Sequence, residues 1–78
     1  MDDIELLREY AEQGSESAFA ALMQRHGGSV YASALRQVRN PQMAEDVTQA
    51  VFVALARKAG QIGKEVLLVG WLHRATRF

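Results

Sequence analysis

Residues 40–60 read NPQMAEDVTQAVFVALARKAG, and GWLHRATR follows at residues 70–77. The first stretch has the marks of one helix. Asn40 serves as N-cap, Pro41 takes the first helical position, Glu45 and Asp46 come early, Arg57 and Lys58 late, and Gly60 falls just past the end. Its pattern is not that of an ordinary amphipathic helix. Met43, Ala44, Val47, Ala50, Val51, Phe52, Ala54 and Leu55 spread over roughly two thirds of the circumference, so the helix should be covered on more than one side. The strip left over holds Glu45, Asp46, Gln49, Val53, Ala56 and Arg57. Small apolar groups among short polar ones let another helix approach closely while the polar groups set its register. The alternative is a central bundle helix whose polar strip simply faces water.

The sequence on either side also reads as helices. Asp2 with Glu5 forms a capping-box pattern, and Ile4, Leu7 and Ala11 make a short apolar stripe that stops near Gly14. Ser15 then caps a second helix with Phe19, Leu22, Met23, His26, Val30, Tyr31, Ala34, Leu35 and Val38 inward. The stripe keeps helical phase through Gly27 and Gly28, which predicts one long helix with a weak point. Gly27 lies on the apolar face, where it would permit a close crossing. His26 reads most simply as a partly buried, hydrogen-bonded core residue. Arg39, Asn40 and Pro41 force the break before the third helix. Nothing alternates with the period of a strand. The expected fold is all-α, a small bundle of three to four helices.

Composition narrows the function classes. A chain of 78 residues makes one domain at most. It has no cysteine, hence no disulfide, thiolate metal site or cysteine nucleophile, which fits a cytoplasmic protein. The start, MDDIE, does not read as a secretory signal, and the apolar run at residues 66–69 is far too short to span a bilayer. Zero net charge conceals an asymmetry. Residues 1–16 carry six acids against Arg8 alone, whereas residues 57–78 carry Arg57, Lys58, Lys64, Arg74 and Arg77 against Glu65 alone, with His73 in addition. Such polarity suits contact with an anionic ligand at one end.

That basic end is the second informative place. Residues 61–65 read as a loop, and a helix is expected to start near Val66 and to run on to Phe78 without a stop signal. Leu68, Trp71, Leu72, Ala75 and Phe78 share one face; Gly70, His73, Arg74 and Arg77 share the opposite one. A tryptophan beside a cationic stripe, next to a glycine-containing loop edged by Lys58 and Lys64, suits nucleic acid. Arginines neutralise phosphates, and loop or aromatic surfaces receive unstacked bases. Trp71 as a plain core anchor beside solvated arginines is the alternative, and its ring can also serve both purposes.

Three pieces come in order over almost the whole chain: ELLREYAEQGSESAFAALMQRHGGSVYASALRQVRN, PQMAEDVTQAVFVALARKA and GWLHRATR. Together they resemble region two of a bacterial RNA polymerase sigma factor of the extracytoplasmic-function type, covering residues 1–78. The most specific element is AEDVTQ-x-VF at this distance before GWL-x-R. The resemblance implies that the helix over residues 41–59 docks on a coiled coil of the polymerase β′ subunit through Asp46 and Gln49, with Glu45 and Val53 as neighbours. It implies that the 60–66 loop and the next helix handle the promoter minus-ten element, capturing a flipped base of the non-template single strand. Lys58, Lys64, Trp71, His73, Arg74 and Arg77 are then the DNA-binding set, with the arginines acting mainly on phosphates. No metal, ATP or other cofactor is implied. An anti-sigma factor is a further partner that members of the family can have, though nothing in these residues marks one.

The chain departs from the family pattern at Phe78, where members usually carry asparagine, and in VLLVG at residues 66–70, which is more apolar than expected. The family's second domain, a helix-turn-helix that reads the minus-thirty-five element, has no counterpart here. Two other classes compete with a transcription initiation module. One is a helical protein-interaction domain without DNA contact. The other is a small enzyme, for which little speaks. No Ser-His-Asp arrangement is visible, the two histidines lie far apart in sequence, and GQIGK lacks the spacing and the Ser/Thr of a phosphate loop.

Overall fold

Three of the four helices begin at a side chain that caps them. The computed structural model describes residues 1–77. α1 spans Asp3–Gln13, and its N-cap Asp2 accepts from the Glu5 amide at 2.8 Å while the Glu5 carboxylate accepts from the Asp2 amide at 3.0 Å. This reciprocal pair satisfies two amides that a helix start leaves without partners. α1 ends at Gly14, whose φ of 66° is left-handed, and the Gly14 amide closes on the Tyr10 carbonyl. Ser15 then caps α2, Glu16–Val38, and Asn40 caps α3, Pro41–Lys58, with Pro41 opening that helix as its sequence anticipates. Between them Arg39 takes a left-handed φ of 54° to turn the chain. A 3-10 turn at Ala59–Gln61 and a connection lead to α4, Leu68–Thr76. No strand occurs among the described residues.

The 23-residue α2 is the central element, and at about 1.5 Å per residue it accounts for the 36 Å long dimension of the molecule. α3 packs along it most extensively, α1 covers another flank, and α4 closes over both α2 and α3. Leu6, Leu7, Ala18, Leu22, Val30, Val51, Phe52, Leu55, Ala59, Leu68 and Leu72 form one buried cluster. Three rings bind α1, α2 and α3 together: Tyr10 lies 4.7 Å from Phe19, and Phe19 meets Phe52 edge-on at 6.3 Å. At the other flank Asp3 accepts from Arg25 Nη1 at 3.2 Å and contacts His26 Nε2 at 2.8 Å, fixing the start of α1 on the middle of α2. His26 is thus the half-buried, hydrogen-bonded residue its position suggested.

Several expectations need correction. On α1 the buried pair is Leu6 and Leu7, whereas Ala11 is exposed and Ile4 half-buried. The helix presents adjacent residues to α2 because Tyr10, not Ala11, continues the contact through Phe19. On α2, Met23 is 46% exposed, and Ala18, which the stripe did not include, is buried in the core cluster. On α3, Met43 and Ala50 are exposed, so coverage is narrower than the wheel implied. Glu45 and Asp46 fall in the second turn, beyond the reach of the helix-start dipole. Gly60 does not adopt the left-handed conformation of a helix-ending glycine, because the chain tightens into the 3-10 turn instead.

α4 starts at Leu68, two residues later than expected, and ends at Thr76, with Arg77 already extended. It therefore does not run on to the end of the chain. Its buried row is Leu68, Leu72 and Thr76, and Ala75 is exposed. Thr76 can be buried because its hydroxyl donates to the Leu72 carbonyl at 2.7 Å, while Gln37 Nε2 donates to the Thr76 carbonyl at 2.8 Å. The expectation for Phe78 lies outside the described residues.

α2 is continuous through Gly27 and Gly28, but neither is the site of a close crossing. A Cβ at either position would meet nothing within 4 Å. Gly27→Ala and Gly28→Ala are therefore expected to stabilise the fold by about 0.5–1 kcal/mol each, through lost backbone freedom in the unfolded chain. A thermal melt followed by circular dichroism reads this directly, and a lowered midpoint would contradict it.

Candidate polymerase and nucleic-acid surfaces

α3 has a buried side and an open one. Ala44, Val51, Phe52 and Leu55 face the core, and Glu45, Asp46, Gln49 and Val53 are all exposed. Asp46, Gln49 and Val53 stand three and four residues apart, on one face of the helix. With Ala50, Ala54, Arg57 and Lys58 they line a shallow, open depression of about 540 Å³. Val53 is 50% exposed, a branched aliphatic side chain left in water beside small alanines. Among the described residues no ion pair engages Glu45 or Asp46. Glu45 lies on the adjoining side of α3 and does not line the depression.

The cationic residues do not form a single stripe. Lys58 shares the α3 depression with Asp46, at the opposite end from it. Lys64 is exposed in the connection. His73, Arg74 and Arg77 are exposed on or just beyond α4, but they diverge. Arg74 lies back over Gly70, its Nη1 3.4 Å from where a Cβ on that glycine would stand. His73 and Arg77 turn instead toward α2, where they line a cleft with Ser33, Arg36 and Gln37. Trp71 is half-buried against the core cluster, so it anchors α4 and keeps part of its ring accessible.

Two features escaped the sequence reading. Leu67 is 74% exposed and occupies the N-cap position of α4 without a side-chain hydrogen bond. Ser, Thr, Asp or Asn at that place would stabilise the helix start by about 1 kcal/mol. The absence of such a residue ahead of Leu68 was the available signal. Val69 is also exposed, which leaves an aliphatic edge where the connection enters α4. The second feature is Arg36, whose place beside Arg77 depends on how α2 meets α4 and leaves no trace in local spacing.

Among the described residues no group of three or more His, Cys, Asp or Glu is placed to hold a metal ion, and no helix is long and apolar enough to cross a membrane. The family Sigma-70 region 2 matches residues 22–78. RNA polymerase sigma factor CarQ of Myxococcus xanthus is 36% identical over 59 residues, which make up 76% of this chain and 34% of that protein. The chain thus spans about a third of the length of that relative. No solved structure matches it significantly. The family match runs from Leu22 in the first third of α2 through α4 and so covers both surfaces just described, and the chain belongs to the sigma-70 region 2 family.

Proposed function

We propose that this chain is a transcription initiation module that docks on core RNA polymerase through α3 and presents the 60–66 connection and α4 to the promoter minus-ten element. The observation that carries it is the open depression on α3, with Asp46, Gln49 and Val53 exposed and unclaimed by the fold, on a helix separate from the cations of α4. Its partner on the polymerase would be the β′ coiled coil, with Glu45 at the margin of the contact. A close helix approach is favoured by Ala50 and Ala54, and Arg57 and Lys58 bound the far end. Members of the family are initiation factors and not enzymes, so binding is the whole of the chemistry. Work beside the polymerase places the chain in the cytoplasm.

At the DNA-facing end, Lys58, Lys64, Trp71, His73, Arg74 and Arg77 would receive the melted non-template strand. The arginines neutralise phosphates, and the exposed aliphatics Leu67 and Val69 offer apolar surface to an unstacked base. Melting is then driven by exchange of base stacking for protein contacts. The test is a complex of the chain with core polymerase, titrated with fluorescent single-stranded oligonucleotides. It should prefer an AT-rich non-template strand and weaken steeply with salt. Arg74→Ala combined with Arg77→Ala should make the salt slope shallower by about 1.4, two phosphates at about 0.7 each, without altering polymerase affinity. A polymerase-bound chain that adds nothing to strand binding would instead describe an interaction domain without DNA contact.

A further inference from the structure

The cleft between α2 and α4 has a chemistry that neither the α3 docking surface nor the 60–66 connection explains. It is open, about 520 Å³ in volume, and lined by Ser33, Arg36, Gln37, His73 and Arg77. Among the described residues that line it there is no carboxylate and no large apolar side chain. The wider neighbourhood is equally one-sided, because neither residues 17–44 nor residues 66–78 contain a single Asp or Glu. In a chain of zero net charge this concentrates positive potential along the α2–α4 side. Arg36 and Arg77 are exposed, and no ion pair among the described residues engages either. Two like charges are nevertheless brought to one cleft, one from α2 and one from the residue just past α4.

What holds them is specific. Gln37, adjacent to Arg36, donates to the carbonyl of Thr76, adjacent to Arg77, at 2.8 Å. Thr76 is fully buried and bonded to Leu72. The backbone leading into Arg77 is thus pinned to the last turns of α2, so only the side chains need ordering when a ligand arrives. An anion entering the cleft would meet both positive charges. Guanidinium groups bind phosphate oxygens in paired, planar geometry, and the Ser33 hydroxyl and the His73 ring add hydrogen-bonding capacity.

We infer that Arg36 and Arg77 together clamp a backbone phosphodiester of the bound nucleic acid in the α2–α4 cleft, which makes α2 part of the DNA interface. The inference rests on the proposed function in taking the strand as the ligand of α4. It adds a contact from a helix outside the 60–66 connection and α4. A phosphodiester is favoured over an acidic protein segment because the described lining supplies two guanidinium groups, a hydroxyl and an imidazole, and no apolar side chain among the described residues to seat a peptide.

Binding of the full chain to a single-stranded oligonucleotide, to an abasic deoxyribose-phosphate strand of equal length and to polyglutamate, each over a salt series, tests this. Arg36→Ala should make the salt slope shallower by about 0.7 with both phosphate strands, roughly a threefold smaller loss of affinity between about 50 and about 200 mM salt. Arg36→Lys should keep the slope, because the charge remains. Arg36 is exposed, so the helical circular dichroism signal should be unchanged in both variants. If Arg74→Ala with Arg77→Ala moves the slope and Arg36→Ala does not, the clamp is refuted while the DNA-binding role of α4 stands. If none of these variants moves it, the DNA reading fails as well. An equal loss with polyglutamate would overturn the phosphate assignment in favour of an acidic protein partner.

Discussion

Asp46→Arg is expected to abolish capture of this chain by core RNA polymerase while leaving its helical signal intact. The carboxylate is exposed and makes no ion pair among the described residues, so the fold has nothing to lose from its removal. Substitution at such a surface position changes stability by no more than about 0.5 kcal/mol, and arginine favours a helix interior more than aspartate does. Binding should respond differently. With Arg57 and Lys58 already at one end, reversal at residue 46 leaves the depression lined by positive charge alone. Truncating one partner of a buried interfacial charge pair costs about 2–5 kcal/mol, and reversal adds repulsion, so affinity should fall by at least a hundredfold or so. A pull-down with purified core polymerase, wild type beside the variant, reads the result. Undiminished capture would remove α3 as the docking helix, and a melted circular dichroism spectrum would show that Asp46 serves the fold.

The largest effect on stability should come from Phe52→Ala. Phe52 is 4% exposed, stands edge-on to Phe19 at 6.3 Å, and through it completes the ring contact that reaches Tyr10 on α1. Truncation removes apolar burial and opens a cavity where three helices meet, at a cost of about 3–5 kcal/mol. A domain of this size has only about 4–12 kcal/mol in total. The thermal midpoint should therefore drop by more than about 12 °C. A loss below about 1 kcal/mol in a denaturant titration would mean that α3 is held to α1 and α2 by something other than these rings.

Much of this fold is legible because its signals are local. Asp2 with Glu5, Ser15, and Asn40 followed by Pro41 each announce a helix start through an interaction completed within four residues. The continuity of α2 through two glycines also follows from phase alone. What failed is decided between helices. Whether Ala11 or Tyr10 continues the α1 contact depends on where Phe19 lies, and whether Ala75 or Thr76 turns inward depends on the Leu72 and Gln37 bonds that make a buried threonine tolerable. Gly60 misled because a terminal 3-10 turn and a left-handed stop look alike in sequence. The surfaces divide in the same way. Asp46, Gln49 and Val53 share a face by spacing on one helix, so their cluster was readable. Arg36 and Arg77 line one cleft only because α4 returns to the end of α2, and a helical wheel drawn for either helix alone omits the other.

The depression on α3 also has a head and a tail. Asp46 lies at one end and Arg57 with Lys58 at the other, separated by about 16 Å of helix. A rod-like partner laid along it with its own charges in the complementary order is attracted at both ends. The same rod turned end for end meets like charge twice, so a docking role for α3 would select the direction in which a partner runs as well as its identity.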